Sequence, residues 1–311
     1  MLLGTGYQKD LTSHHAILIA MLPLSTSTNL NSVIKYNVIS NIGYNGISAY
    51  GKNFTINNNL VHHFCMQKDD GGGIYSWNEE EVESQNINIL NNIVMYGMGY
   101  LGGRPYTNRM SVQGIYSDNF YSAGITVSGN TIAHMASVGY FSQSNRNGTI
   151  TNNIFYDCGD AGILLDEVNG SDHDNLVMSN NIFVNKSPYA YTFIFSYIGY
   201  SSHDLSATVD FDHNYYCEPI ANGNYFLHWV QPADAVYETL AQWQISTGQD
   251  ANSYFNLAGT VADTSLIDFY YNATLINKVV NLGTPMRDMK NVLYPTSITL
   301  LPFTSTVLIP D

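Results

Sequence analysis

Five short segments of the 311-residue chain begin with glycine and carry, four places later, a residue that can bind or react: GISAY (46–50), GIYSW (73–77), GIYSD (114–118), GYFSQ (139–143) and GILLD (162–166). Their last residues are Tyr50, Trp77, Asp118, Gln143 and Asp166. Stacked in register as neighbouring strands, these five form one column with steps of about 4.8 Å. Tyr75 and Tyr116, two places earlier, fall on the same face, because alternate strand residues share a side. Rings beside carboxylates and an amide suit a polyhydroxylated ring. Aromatic faces meet the sugar face, and polar groups meet its hydroxyls. Paired carboxylates can also cleave it. Glycoside hydrolysis needs them about 5–5.5 Å apart for retention and about 6.5–9.5 Å apart for inversion. Asp118 and Asp166 lie two strands apart, about 9.6 Å, close to the inverting range. The structural alternative is a ladder of rings that stack because like residues pack well.

The stretch KDDGGGIYSWNEEE (68–81) feeds this column. Asp69 and Asp70 point to opposite sides if extended, so at most one faces the groove with Trp77. The other caps the bend. Three glycines let the backbone turn sharply and leave the groove open. Asp70 lies one strand below Asp118, offset along it. Asp118 belongs to both candidate pairs and is the first choice; its role as acid or base stays open. Glu167 follows Asp166 and points to the other face unless the strand bends. The candidate catalytic set is therefore Asp118, Asp70, Asp166, Asp69 and Glu167. The candidate substrate contacts are Tyr75, Trp77, Tyr116, Asn119, Gln143, Arg104 and His63. His62 and His63 lie one bend before the acidic turn, and His134 at the equivalent place two units later. No HxH or HExxH spacing supports a metal hydrolase, and no GxSxG supports a serine nucleophile. The EEEVE run (79–83) reads as a solvated loop. No cofactor is required, and Ca²⁺ at this acidic rim is the one ion left open.

A repeat must position these residues. Segments of the form apolar-x-x-Asn-x-apolar recur at IKYNVI (34–39), INNNLV (56–61), ILNNIV (89–94), VSGNTI (127–132), ITNNIF (150–155), MSNNIF (178–183) and FDHNYY (211–216). Their asparagines are Asn37, Asn59, Asn92, Asn130, Asn153, Asn181 and Asn214. The glycine series interleaves with them. Each unit is strand, bend, strand, too short for a helical crossover and unable to bury its own apolar face. Successive units must stack. The solution is a coil of short parallel strands, with the asparagines bonding across coils at a bend. They hold the fold rather than a ligand. Composition agrees: 12% charged and 13% aromatic residues, with 24 Tyr, favour strands over exposed helices.

On these motifs the chain resembles the right-handed parallel β-helix proteins of the pectin-lyase-like superfamily, over roughly residues 30 to 220. The resemblance implies an all-β fold and a polysaccharide-active role, since the superfamily includes glycoside hydrolases, lyases, epimerases, tailspikes and adhesins. The Asp-Asp-Gly turn resembles the adjacent-Asp element of polygalacturonase-type enzymes. The NTD, GHG and RIK elements of that set are absent, which argues against pectin hydrolysis by that route. Residues 235–255 read as a short helix and loop, similar to a segment that follows the last coil in many bacterial polysaccharide-active β-helix proteins.

The expected organisation is an N-terminal cap or remnant of upstream coils (1–30), the β-helix (31–225), a connector with a short helix (226–258) and a small β-sandwich-like appendage (259–311). The appendage is expected to pack on the helix end or side and to stabilise rather than catalyse. AILIAMLPL (16–24) reads as a strand pair, since two histidines precede it where a signal peptide carries Lys or Arg. A secreted protein relieved of its signal looks the same. Secreted, periplasmic or cell-surface placement is expected, as a monomer. A formal charge of −14 disfavours nucleic acid and anionic lipid, and no apolar run spans a bilayer. Cys65, Cys158 and Cys217 are widely spaced and read as buried thiols, not a zinc site. The leading reading is a glycoside hydrolase on a polysaccharide or oligosaccharide. The alternatives are a polysaccharide lyase, disfavoured by the scarcity of basic residues, and a non-catalytic carbohydrate-binding or structural β-helix.

Overall fold

The period-2 segments form short parallel strands because each alternates apolar residues inward and polar residues outward, and only neighbouring coils can satisfy their backbone groups. The computed structural model describes residues 17–20, 31–77, 84–100, 110–118, 122–168, 173–187, 190–198, 208–220, 226–230 and 234–311. Its strands fall into nine-, seven- and eight-stranded sheets, here called sheets 1, 2 and 3. One coil visits all three in turn, for example Gly71–Trp77 in sheet 1, Ile87–Leu90 in sheet 2 and Ile93–Gly97 in sheet 3. The next coil returns to sheet 1 at Val112–Asp118 and pairs with Gly71–Trp77 in parallel. This is an all-β parallel β-helix, with Ile, Val, Leu and Phe side chains packed along its interior. The three cysteines are buried free thiols.

The repeated asparagine marks the turn between sheets 2 and 3. Each side chain donates from Nδ2 to the Oδ1 of the next coil's asparagine at 2.9–3.1 Å, from Asn37 to Asn214. The same Oδ1 accepts the backbone N–H of the asparagine below it. The residue before each ladder asparagine is left-handed: Tyr36, Asn58, Asn91, Gly129, Asn152, Asn180 and His213. Asp250 ends the ladder. It accepts from Asn214 Nδ2 at 3.2 Å, Tyr216 Oη at 2.9 Å and Trp243 Nε1 at 2.9 Å. Trp243 lies on the helix Leu240–Thr247 and stacks on Phe226 at 4.9 Å, closing the last coil.

At the N-terminal side, Ile17–Ala20 is a strand paired with Ile47–Tyr50, the first strand of sheet 1; the rest of the expected strand pair and cap lies outside the described residues. At the other end of the chain, Asp268–Asn272, Met286–Asp288, Leu293–Tyr294 and Thr304–Pro310 form a four-stranded antiparallel sheet. Its Ile267, Phe269, Val307 and Ile309 pack on the outward side chains of sheet 3, including Ile93, Met95, Tyr156 and Cys217. The appendage therefore covers a different sheet from the one that carries Trp77 and Asp118.

Candidate active site

The glycine series owes its glycines to packing, not to turns. A Cβ at Gly46 would lie 2.5 Å from Val61 Cγ1, at Gly139 2.6 Å from Phe155 Cδ1, and at Gly162 2.6 Å from Phe183 Cδ1. Sheet 3 side chains fill the interior up to this backbone, so only glycine fits. The column they open is set by the strand register. Trp77 pairs with Asp118, and Tyr75 with Tyr116. Ala49 pairs with Ser76, which aligns Tyr50 with Trp77. Ser117 pairs with Ser142 and Ser142 with Leu165, which aligns Asp118 with Gln143 and Asp166.

Asp118 is the chemical centre of the column. Tyr75 Oη donates to its Oδ2 at 2.6 Å, and Tyr116 also donates to it. Burial pushes the Asp118 carboxyl above its ordinary range; the two phenols oppose this, and the charge of Asp70 adds to it. Trp77, 40% exposed, sits in the neighbouring strand with Tyr50 edge-on at 5.9 Å.

The acidic turn divides its two carboxylates. Asp69 is buried and accepts the Ser111 N–H on both oxygens, at 2.8 and 3.0 Å. Asp70 is exposed and left-handed at φ 60°, with its carbonyl accepting from Tyr44 Oη at 2.6 Å. The charges of both Asp70 and Asp118 act on Tyr44 and on Tyr116, raising both phenols in addition to their burial. The two carboxylates thus share one tyrosine cluster. The three glycines, expected to bend the chain, lack positive φ. Gly71 is pressed against Asn45 and Tyr44, and Gly73 against Val94 and Phe64.

Several expected site residues stand elsewhere or act otherwise. Tyr75 and Tyr116, expected as exposed sugar platforms, are 8% and 4% exposed. Tyr116 stacks on Phe141 at 4.8 Å, so its face is taken and its hydroxyl serves Asp118. Asp69 belongs to the turn rather than to the groove. Glu167 is buried, its Oε1 accepting the His173 N–H at 2.5 Å and lying 3.2 Å from His173 Nδ1. His173 is itself buried, at 1% exposure. Asp166 and Gln143 remain in the column, half-buried. His63 belongs to a separate ring column at the turn leaving sheet 3. It stacks on Tyr96 at 4.9 Å, and Tyr96 stacks on His134 at 5.0 Å. Arg104, Asn119 and the run 79–83 lie outside the described residues.

Tyr44 and Ser111 were missed. Tyr44 is a single ring in the Gly/Asn-rich turn NIGYNG (41–46), which carries no periodic signal. Ser111 precedes its strand and matters through contacts between coils: its N–H donates to Asp69, its carbonyl accepts the Asp70 N–H at 2.7 Å, and its hydroxyl donates to Asp70 Oδ1 at 3.4 Å. Among the described residues, no group of three or more His, Cys, Asp or Glu converges as a metal site.

The stacked coils of parallel strands define a protein of the β-helix class. A family model described as a right handed beta helix region matches residues 24–202, more than half of the chain, and the chain belongs to that family. No curated protein and no solved structure matches it significantly. No helix among the described residues is long and apolar enough to cross a membrane.

Proposed function

We propose that the protein is a glycoside hydrolase that cleaves a glycan lying across the Trp77–Asp118 column. The observation that carries this reading is the Tyr75 hydrogen bond at 2.6 Å to a half-buried Asp118 whose carboxyl is raised, beside an exposed tryptophan in register. A raised carboxyl holds its proton for a leaving group, as a general acid requires. Asp118 gives its proton to the glycosidic oxygen as the bond to the anomeric carbon breaks. Water attacks that carbon, and the exposed Asp70 takes the water's proton. Trp77 supports the sugar ring. The roles follow from environment: the half-buried, raised carboxyl serves as acid, and the exposed one meets water.

Asp118→Asn tests the proposal, because it removes the ionisable group at nearly constant volume. The expected result is a fall of about 10²- to 10⁴-fold in reducing-end release from a susceptible polysaccharide, with the melt little changed. Asp174→Asn, at an exposed position, should leave the rate near wild type. Retention of more than about a third of the activity by Asp118→Asn is incompatible with this role. Glycan binding without turnover in the wild type favours a lectin-like β-helix instead.

A further inference from the structure

We infer that the glycan gripped by this column carries no carboxylates: its substrate is a neutral sugar chain, not a polyuronate. This deepens the hydrolase reading and rests on it for the site's location. Among the described residues, the groups that meet at Asp118 are two phenols, a tryptophan and a like charge. No cation among the described residues contributes to its protonation. The Lys68 ammonium lies over the Tyr44 ring, 4.0 Å from its centre.

A uronate carries its carboxylate on the ring carbon itself. Sugars on either side of the scissile bond would bring that charge into the tyrosine cluster on which the Asp70 carboxylate already acts, while Asp118 waits there protonated. Partial burial makes a further like charge more costly than it is in water. The net charge of −14 also slows the approach of a polyanion. Hydroxyls face no such penalty. Trp77 and Tyr50 offer apolar surface to an uncharged ring. Gln143, one coil beyond Asp118, is half-buried with its Oε1 shielded from solvent, so its Nε2 is the atom that can donate to a hydroxyl. The same arrangement disfavours β-elimination, which needs the uronate that this site repels.

The test compares galactan, xylan and mixed-linkage β-glucan with polygalacturonate and alginate, using the full chain. Reducing ends and unsaturated-uronate absorbance report cleavage, and affinity electrophoresis in glycan-containing gels reports binding. The expected result is cleavage of a neutral chain at a rate at least about 100-fold above either polyuronate, because like-charge juxtaposition is strongly disfavoured. Retardation in that neutral gel should be relieved by Trp77→Ala. Comparable cleavage of a polyuronate, lost in Asp118→Asn, overturns the substrate class and leaves the hydrolase reading standing. Cleavage of nothing overturns the hydrolase reading, and the gels then decide the substrate class alone. Retardation by a neutral glycan upholds it; retardation only by polyuronates, or by no glycan, overturns it.

Discussion

Asp118 is held between opposing forces, and their signs can be tested one at a time. Burial and the Asp70 charge raise its carboxyl, while the Tyr75 and Tyr116 hydroxyls favour its ionised form and lower it. Tyr75→Phe removes one lowering contact, so the carboxyl should rise further. If Asp118 is the acid, the limb of kcat/KM that falls on its deprotonation should move to higher pH. A profile that keeps its position would show that another group titrates there. Trp77→Ala should act differently. It removes a platform that supports ground state and transition state alike, so KM should rise with kcat nearly unchanged. Its exposure keeps the expected loss of melting temperature small. An unchanged KM with a large drop in melt would make Trp77 a packing residue. The sequence placed Trp77 beside Asp118 because a strand repeat converts sequence offsets into spatial columns. It did not reveal what Tyr75 and Tyr116 do. Alternation tells which side a ring faces, not what covers it, and Phe141 on the next coil takes the face of Tyr116. Nor could alternation place Glu167, whose partner His173 comes from a loop without periodicity.

At the scale of elements, the asparagine turn carries the fold. Asn130 sits in mid-ladder, donating to Ile89 O at 2.8 Å and Asn153 Oδ1 at 3.1 Å, and accepting from the Asn92 backbone at 2.8 Å. Asn130→Ala leaves a buried carbonyl and a buried N–H without those partners, at about 1–3 kcal/mol each. Asn37 lies at the ladder's first place and is half-buried, so water can replace part of what Asn37→Ala removes. Denaturant titration should show a clearly larger loss for Asn130→Ala. Equal losses would mean that the ladder adds nothing beyond single-residue packing. This turn was legible because its chemistry demands one residue type: an amide can donate upward and accept downward at each coil. The turn leaving sheet 3 was less legible. Its left-handed positions are His63, Tyr96, His134 and Asp157 rather than asparagine or glycine, and bulky residues there run against local preference. Ring stacking across coils, and the His134 Nδ1 contact of 2.8 Å to Asp157 Oδ2, offset that preference through tertiary contacts no local motif encodes.

At the scale of the molecule, charge and burial favour the same side of neutrality. The chain carries 25 acidic against 11 basic residues, so self-repulsion grows as carboxylates ionise. Glu218, just past the strand Tyr215–Cys217, adds a specific penalty. Its carboxylate is 2% exposed, both oxygens lack hydrogen-bond partners, and burial pushes it up to about 7. Asp250 is also raised by burial, although four side-chain donors oppose the shift. A carboxyl raised on folding binds its proton more tightly in the native state. The stability it contributes is full below its unfolded value and is lost as pH rises through the folded one. For Glu218 that window runs from about 4.5 to about 7. The wild-type melt should therefore be highest in mild acid and fall towards pH 8. Glu218→Gln keeps the shape but cannot ionise. It should melt close to wild type near pH 4 and several degrees above it at pH 8. Salt separates the two contributions, because it screens surface repulsion but reaches a buried carboxylate poorly. Added sodium chloride should raise both melts at pH 8 and leave the gap between them largely intact. A gap that closes in salt would assign the effect to surface charge. A Glu218→Gln variant that melts below wild type at pH 8 would mean that the ionised carboxylate has a stabilising partner.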